Sequence, residues 1–142
     1  MAIRRVDPEA AAELLDQGWT YLDVRSVAEF TDGHAPGAYN IPLLDFVPGQ
    51  GLKPNTNFLL EVLANFAPDR PLVVACKAGG RSARAAAMLA ESGFTNVVDM
   101  EGGFYGEFDE TGVLACAGWA SVGLPVVSGE EPERNHDDLR KK

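Results

Sequence analysis

Apolar residues fall in short runs along this chain, and each run is closed by residues that favour turns. Residues 3–6 read as a first strand. A helix is predicted over 8–17, with Asp7 at the N-cap, Pro8 in the first helical position and Gly18 past the end. Residues 19–24 read as a buried strand and 27–31 as a short helical turn. Two prolines and a glycine between His34 and Pro42 predict a loop leading into a short strand at 39–41. Residues 43–54 follow neither period, are rich in Pro and Gly, and read as irregular. A helix capped by Asn55 or Asn57 is predicted through Phe66, with Leu59, Leu60, Val62, Leu63 and Phe66 on its apolar face. The continuous apolar run over 71–75 is the pattern of a strand covered on both faces. A helix over 81–91 and a strand over 96–99 complete the alternation, which predicts an α/β fold with a largely parallel sheet.

The chain has 142 residues, enough for one domain with a buried core. Its end, "SGEEPERNHDDLRKK", holds one apolar residue, Leu139, among many charges. It is expected to be a disordered tail over 128–142, leaving residues 1–127 as the domain. The formal net charge is -9. Nucleic acid and anionic membrane are therefore not expected partners, since both would be repelled. An anionic small molecule needs a local positive site in such a body.

Near the N-terminus Asp7, Pro8 and Glu9 interrupt any signal-like run, and no apolar stretch reaches membrane-span length. Two cysteines, Cys76 and Cys116, are too few for a disulfide framework and point to a reducing cytoplasmic setting. His34 is expected to order its loop. No zinc-type spacing joins it to a cysteine, so no metal is expected, nor any cofactor.

The candidate chemistry lies in "VVACKAGGRSARAAAMLAESG", residues 73–93. Cys76 ends a central strand, and in open α/β sheets that edge is where ligands bind. Gly79 and Gly80 permit a tight turn whose N–H groups form an anion-binding nest before a helix N-terminus. Lys77 and Arg81 add positive charge, and Ser82 is placed to cap the helix or bond the sulfur. These features favour the thiolate, the nucleophilic form of cysteine. A cysteine that ends a strand is also an ordinary buried apolar residue. The coincidence of glycine pair, two cations and helix start favours a reactive group.

"CKAGGRS" resembles the active-site loop of the rhodanese-like family of sulfurtransferases. "LDVRSVAEF", "GHAPGAYNIP", "MEGGF" and "GWASVGLPVV" resemble further elements of that family in the same order, so the likeness runs over residues 3–127. It implies a rhodanese-like α/β fold, a five-stranded parallel sheet with helices on both faces. It implies transfer of sulfane sulfur from thiosulfate or a persulfide donor, through a Cys76 persulfide, to a thiol or cyanide acceptor. A protein sulfur donor or acceptor fits the same chemistry. Lys77, Ala78, Gly79, Gly80, Arg81 and Ser82 map onto the loop that wraps the sulfur. Asp23 and Arg25 lie behind it: Asp23 is expected to pair with Arg81 or a loop N–H, or the role is structural, with Arg25 and Glu29, four apart on a helical turn, as an ion pair.

Against the family pattern, Gly103 and Trp119 are separated by an insertion over about 104–118. Its "DETG" predicts a hairpin turn near the active-site edge. Cys116 lies in it and is a candidate resolving thiol for an oxidised or persulfurated Cys76, or an idle packed one. Two other readings compete. Cysteine phosphatases and arsenate reductases of related fold use a loop one residue longer between Cys and Arg. A non-catalytic binding or regulatory module of the family often lacks the cysteine that this chain has.

Overall fold

The structure, a computed structural model, describes residues 3–78 and 80–142. In chain order the elements are β1 (Arg4–Val6), α1 (Pro8–Asp16), β2 (Thr20–Asp23), α2 (Val27–Asp32) and β3 (Tyr39–Asn40). Then come β4 (Leu44–Val47), β5 (Gly51–Pro54), α3 (Phe58–Asn65), β6 (Leu72–Ala75), α4 (Gly80–Glu91) and β7 (Val97–Met100). β8 (Glu107–Phe108), β9 (Leu114–Cys116) and α5 (His136–Leu139) follow. Five strands form one parallel sheet in the order β1-β7-β6-β2-β3.

The two-residue period of the strands sorts the core into two layers. Leu22, Leu72, Val74 and Cys76 face α3 and α4, with Phe58, Val62, Ala85 and Leu89. Tyr21, Val73, Ala75, Val98 and Met100 face the other layer, where Ala11 of α1, Phe30 of α2 and Trp119 pack. Covered on both sides, β2 and β6 are buried along their whole length. Local signals fix the helix starts. Asp7 accepts from the N–H of Ala10 at 2.8 Å, and Ser26 and Glu29 form a reciprocal capping box on α2. No helix among the described residues is long and apolar enough to cross a membrane.

Two expectations need correction. Residues 43–54 are not irregular: β4 and β5 form an antiparallel hairpin. Its residues are largely exposed, so no apolar alternation marks it, and Gly49 and Gly51 take positive φ at the turn. Nor is the segment 128–142 frayed. Gly129 N–H bonds Thr31 O at 2.8 Å, Asn40 N–H bonds Arg134 O at 2.9 Å, and Asn135 caps α5. His136 meets Glu61 at 2.9 Å, and Leu139 is 2% exposed. One buried leucine, a capped turn and side-chain hydrogen bonds hold what composition alone marks as loose.

Candidate active site

Cys76 follows the last residue of β6, and α4 begins at Gly80. The sulfur thus lies at the carboxyl edge of a central strand, before a helix N-terminus, and the residue is 2% exposed. By the strand period Cys76 faces α4. Asp99 lies on the neighbouring strand, where its register partner is Val74, on the same face. Ser82, in the first turn of α4, bridges them. The Cys76 thiol meets Ser82 Oγ at 3.5 Å, and the Ser82 hydroxyl donates to Asp99 Oδ1 at 2.5 Å. Asp99 Oδ2 accepts from Arg5 Nε at 3.2 Å. Burial pushes the Asp99 carboxyl above its ordinary range, against the opposing pull of Ser82 and Arg5.

The two loop cations have different partners. Arg81 donates to Glu29 at 2.8 and 3.1 Å. That hydrogen bond is the main reason its guanidinium is held above the ordinary range, with Cys76 and Asp23 adding to the effect. Lys77 places Nζ 5.8 Å from the centre of the Tyr105 ring. Ala78 and Gly80 are exposed on the rim, and Gly79 lies outside the described residues.

The start of the loop is clamped by the turn after β7. Phe104 N–H donates to Cys76 O at 2.7 Å and Tyr105 N–H to Lys77 O at 3.0 Å. Gly103 has φ +61°, and a Cβ there would sit 2.5 Å from Cys76 O.

Asp23 and Arg25 form a pair with each other. Arg25 Nη2 lies 2.6 Å from Asp23 Oδ2, both side chains are fully buried, and Arg25 also reaches Gly33 O at 2.7 Å. The guanidinium stacks on Phe104, 4.4 Å from the ring centre. Arg81 takes Glu29 rather than Asp23, and Arg25 takes Asp23 rather than Glu29, so the buried pair reaches the site through Phe104 and Gly33. His34 is fully buried, with Nδ1 2.7 Å from Phe30 O and Nε2 3.0 Å from Glu131.

Residues 104–118 do contain a hairpin, β8 against β9, with Asp109 Oδ1 accepting from the N–H groups of Thr111 and Val113 at the turn. Glu107 and Phe108 line one wall of a cleft of about 500 Å³ that also takes in Arg5, Ala78, Gly80 and Ala83. A second hollow of about 360 Å³ is bounded by Glu29, Asp32, Lys77 and Tyr105. Cys116, on β9, donates to Glu101 Oε1 at 3.2 Å. Burial first, then this carboxylate, push its thiol up to about 11.

The sequence profile of the rhodanese-like domain matches residues 7–106. The chain belongs to the rhodanese-like domain family. Thiosulfate sulfurtransferase 16, a chloroplastic protein of Arabidopsis thaliana, is 38% identical over 121 residues, 85% of this chain and 90% of its own length. Thiosulfate sulfurtransferase GlpE of Haemophilus influenzae is 34% identical over 127 residues, 89% of this chain and 96% of its own. The crystal structure of Rv0390 from M. tuberculosis is similar with a TM-score of 0.76 at 28% identity, over 91% of this chain and all of that one.

Within this rhodanese-like site, sequence reasoning missed Asp99 and Arg5, and it did not single out Glu29 as the partner of Arg81. The signal for Asp99 was available: an aspartate inside the apolar run "VVDM", beside the strand that ends in the cysteine.

Proposed function

We propose that this protein is a sulfurtransferase that carries sulfane sulfur as a persulfide on Cys76. The observation that carries the reading is the placement of one sulfur between the end of β6 and the start of α4, with Ser82 against it and the Arg81 guanidinium near enough to feel its charge. In the first step the Cys76 thiolate attacks the outer sulfur of thiosulfate. The S–S bond breaks and sulfite leaves with the electron pair. In the second, an acceptor thiolate or cyanide attacks the terminal sulfur, and Cys76 leaves as the thiolate. Donor and persulfide are both anionic, so the helix N-terminus and the two cations favour each stage electrostatically.

Relatives named as thiosulfate sulfurtransferases, matched over 85–89% of this chain, support the same reading. So does the four-residue spacing between Cys76 and Arg81, one shorter than in the phosphatases of related fold. Thiosulfate or a persulfide is the donor in this reading, and the cytoplasm as location fits two cysteines that are both free thiols.

Steady-state turnover separates the classes. Thiosulfate with cyanide should give thiocyanate in wild type and none in Cys76→Ser, while a phenyl phosphate ester should remain unhydrolysed. Hydrolysis of the ester without thiocyanate formation would replace sulfur transfer by phosphatase chemistry.

A further inference from the structure

A hydrogen-bonded line runs from the reactive sulfur through the sheet to the molecular surface. Cys76 Sγ meets Ser82 Oγ at 3.5 Å, and Ser82 Oγ meets Asp99 Oδ1 at 2.5 Å. Asp99 Oδ2 meets Arg5 Nε at 3.2 Å, and Arg5 Nη2 meets Glu107 Oε1 at 3.2 Å. Ser82 and Asp99 are fully buried or nearly so, at 0% and 1% exposed, whereas Arg5 lies on the surface. A buried carboxylate in contact with a serine that itself touches a cysteine is more than core packing requires, because an apolar residue would fill β7 without desolvating a charge.

We propose that Asp99 receives the Cys76 thiol proton, with Ser82 as the bridge. The thiol proton passes to Ser82 Oγ as the serine's own proton passes to Asp99 Oδ1. The products are a Cys76 thiolate that accepts a hydrogen bond from Ser82, and a neutral Asp99 acid that donates to Ser82. No atom is gained or lost, and the site holds one negative charge before and after. The step therefore avoids the cost of adding a charge to a dry interior. Asp99 is a positioning residue in this scheme, since it acts on the sulfur through Ser82.

The neighbours suit that role. Arg5 on β1 is paired in register with Asp99, and its half-exposed guanidinium holds the second carboxylate oxygen. Glu107 on β8 binds the same guanidinium and opposes ionisation of Asp99, as burial does. On the sulfur side, Arg81 and Tyr21 are among the titratable groups that sense Cys76. With its proton affinity raised above that of an ordinary carboxylate, Asp99 is better matched to a thiol than a solvated aspartate would be.

The relay gives the proposed sulfur transfer its nucleophile, but it is tested on the thiol itself. Iodoacetamide alkylation of Cys76, read by peptide mass, is followed in wild type, Asp99→Asn, Ser82→Ala and the double variant. The expected result is about tenfold slower alkylation near pH 7 in each variant, with rates within about twofold of wild type near pH 10, where solvent removes the proton. The double variant should be no slower than either single one, because one path is broken once. Wild-type rates near pH 7, or an equal loss at both pH values, would overturn the relay. Should Asp99→Asn fail to fold by circular dichroism, Ser82→Ala, which removes a single hydroxyl, decides on the same pH comparison. A wild type that alkylates as expected yet takes no sulfur from thiosulfate would defeat the transfer reading and leave the relay standing.

Discussion

Arg81 and Glu29 meet end to end, with Nη1 2.8 Å from Oε1 and Nη2 3.1 Å from Oε2, across 52 positions of sequence. Glu29 also closes the capping box of α2 with Ser26, so the carboxylate that starts one helix fastens the cation of the cysteine loop. Burial would raise the Glu29 carboxyl. The hydrogen bonds from Arg81 and then Ser26 outweigh it and bring the group to about 2, from an ordinary 4.5.

A carboxyl held low in the folded state stabilises the fold fully above its unfolded value and loses that contribution as pH falls from about 4.5 towards about 2. Discounted for partial exposure, the contribution is on the order of 2 kcal/mol. Glu29→Gln should lose about that much near neutral pH and show a flatter acid limb. Urea unfolding at several pH values checks both. An unchanged acid limb would mean that the pair does not hold the loop.

Gly103→Ala should damage the site while leaving every candidate catalytic side chain unchanged, because its Cβ presses on the backbone of the cysteine loop. A Cβ at Gly103 meets Cys76 O at 2.5 Å and Lys77 C and O at 2.6 Å, and φ is +61°. Backbone cannot yield as a side-chain tip does, so the loop must move or the fold must loosen. The expected outcome is a loss of about 3 kcal/mol or more in stability, and thiocyanate formation reduced at least tenfold in what remains folded. Thermal unfolding and turnover measured on one preparation check it.

The central frame was legible because single residues carry unambiguous local signals. Asp7 with Pro8 starts α1, and the apolar 71–75 run followed by a glycine pair makes a strand, loop and helix. The loop cations and Cys76 are near one another in sequence, so their proximity in space follows. Asp99, Arg5 and Glu29 are different. Each joins the site through a partner on another element, and the pairings Arg5–Asp99 and Arg81–Glu29 depend on which strands and helices end up adjacent. Asp23 could be placed at the right sheet edge, but not given its partner, because Arg25 two residues on competes with every distant cation. Residues 128–142 misled for the opposite reason: Leu139 alone supplies the apolar anchor, and the other contacts are polar.

Leu139→Ala should therefore cost about 2–5 kcal/mol, as for a leucine buried in any core. Deletion of residues 128–142 should cost at least as much, since it also removes Glu131 from His34. Denaturant midpoints of the two variants give the comparison, and a truncated chain as stable as the full one would contradict the docking of α5.

Cys116 is held as a thiol by burial and Glu101, at about 11. It should alkylate much more slowly than Cys76 near neutral pH, and Cys116→Ser should leave thiocyanate formation within about twofold of wild type. Peptide mass mapping after mild oxidation should show no Cys76–Cys116 disulfide. Recovery of that disulfide, with impaired turnover in Cys116→Ser, would make Cys116 a resolving thiol instead.

The persulfide itself is the most direct object of measurement. Wild-type protein incubated with excess thiosulfate, desalted without reductant and weighed intact should gain the mass of one sulfur atom, mapped to the peptide that contains Cys76, and lose it on addition of cyanide. Cys76→Ser should gain nothing. A wild type that stays at its starting mass under donor excess, or a sulfur that maps to Cys116, would contradict the account.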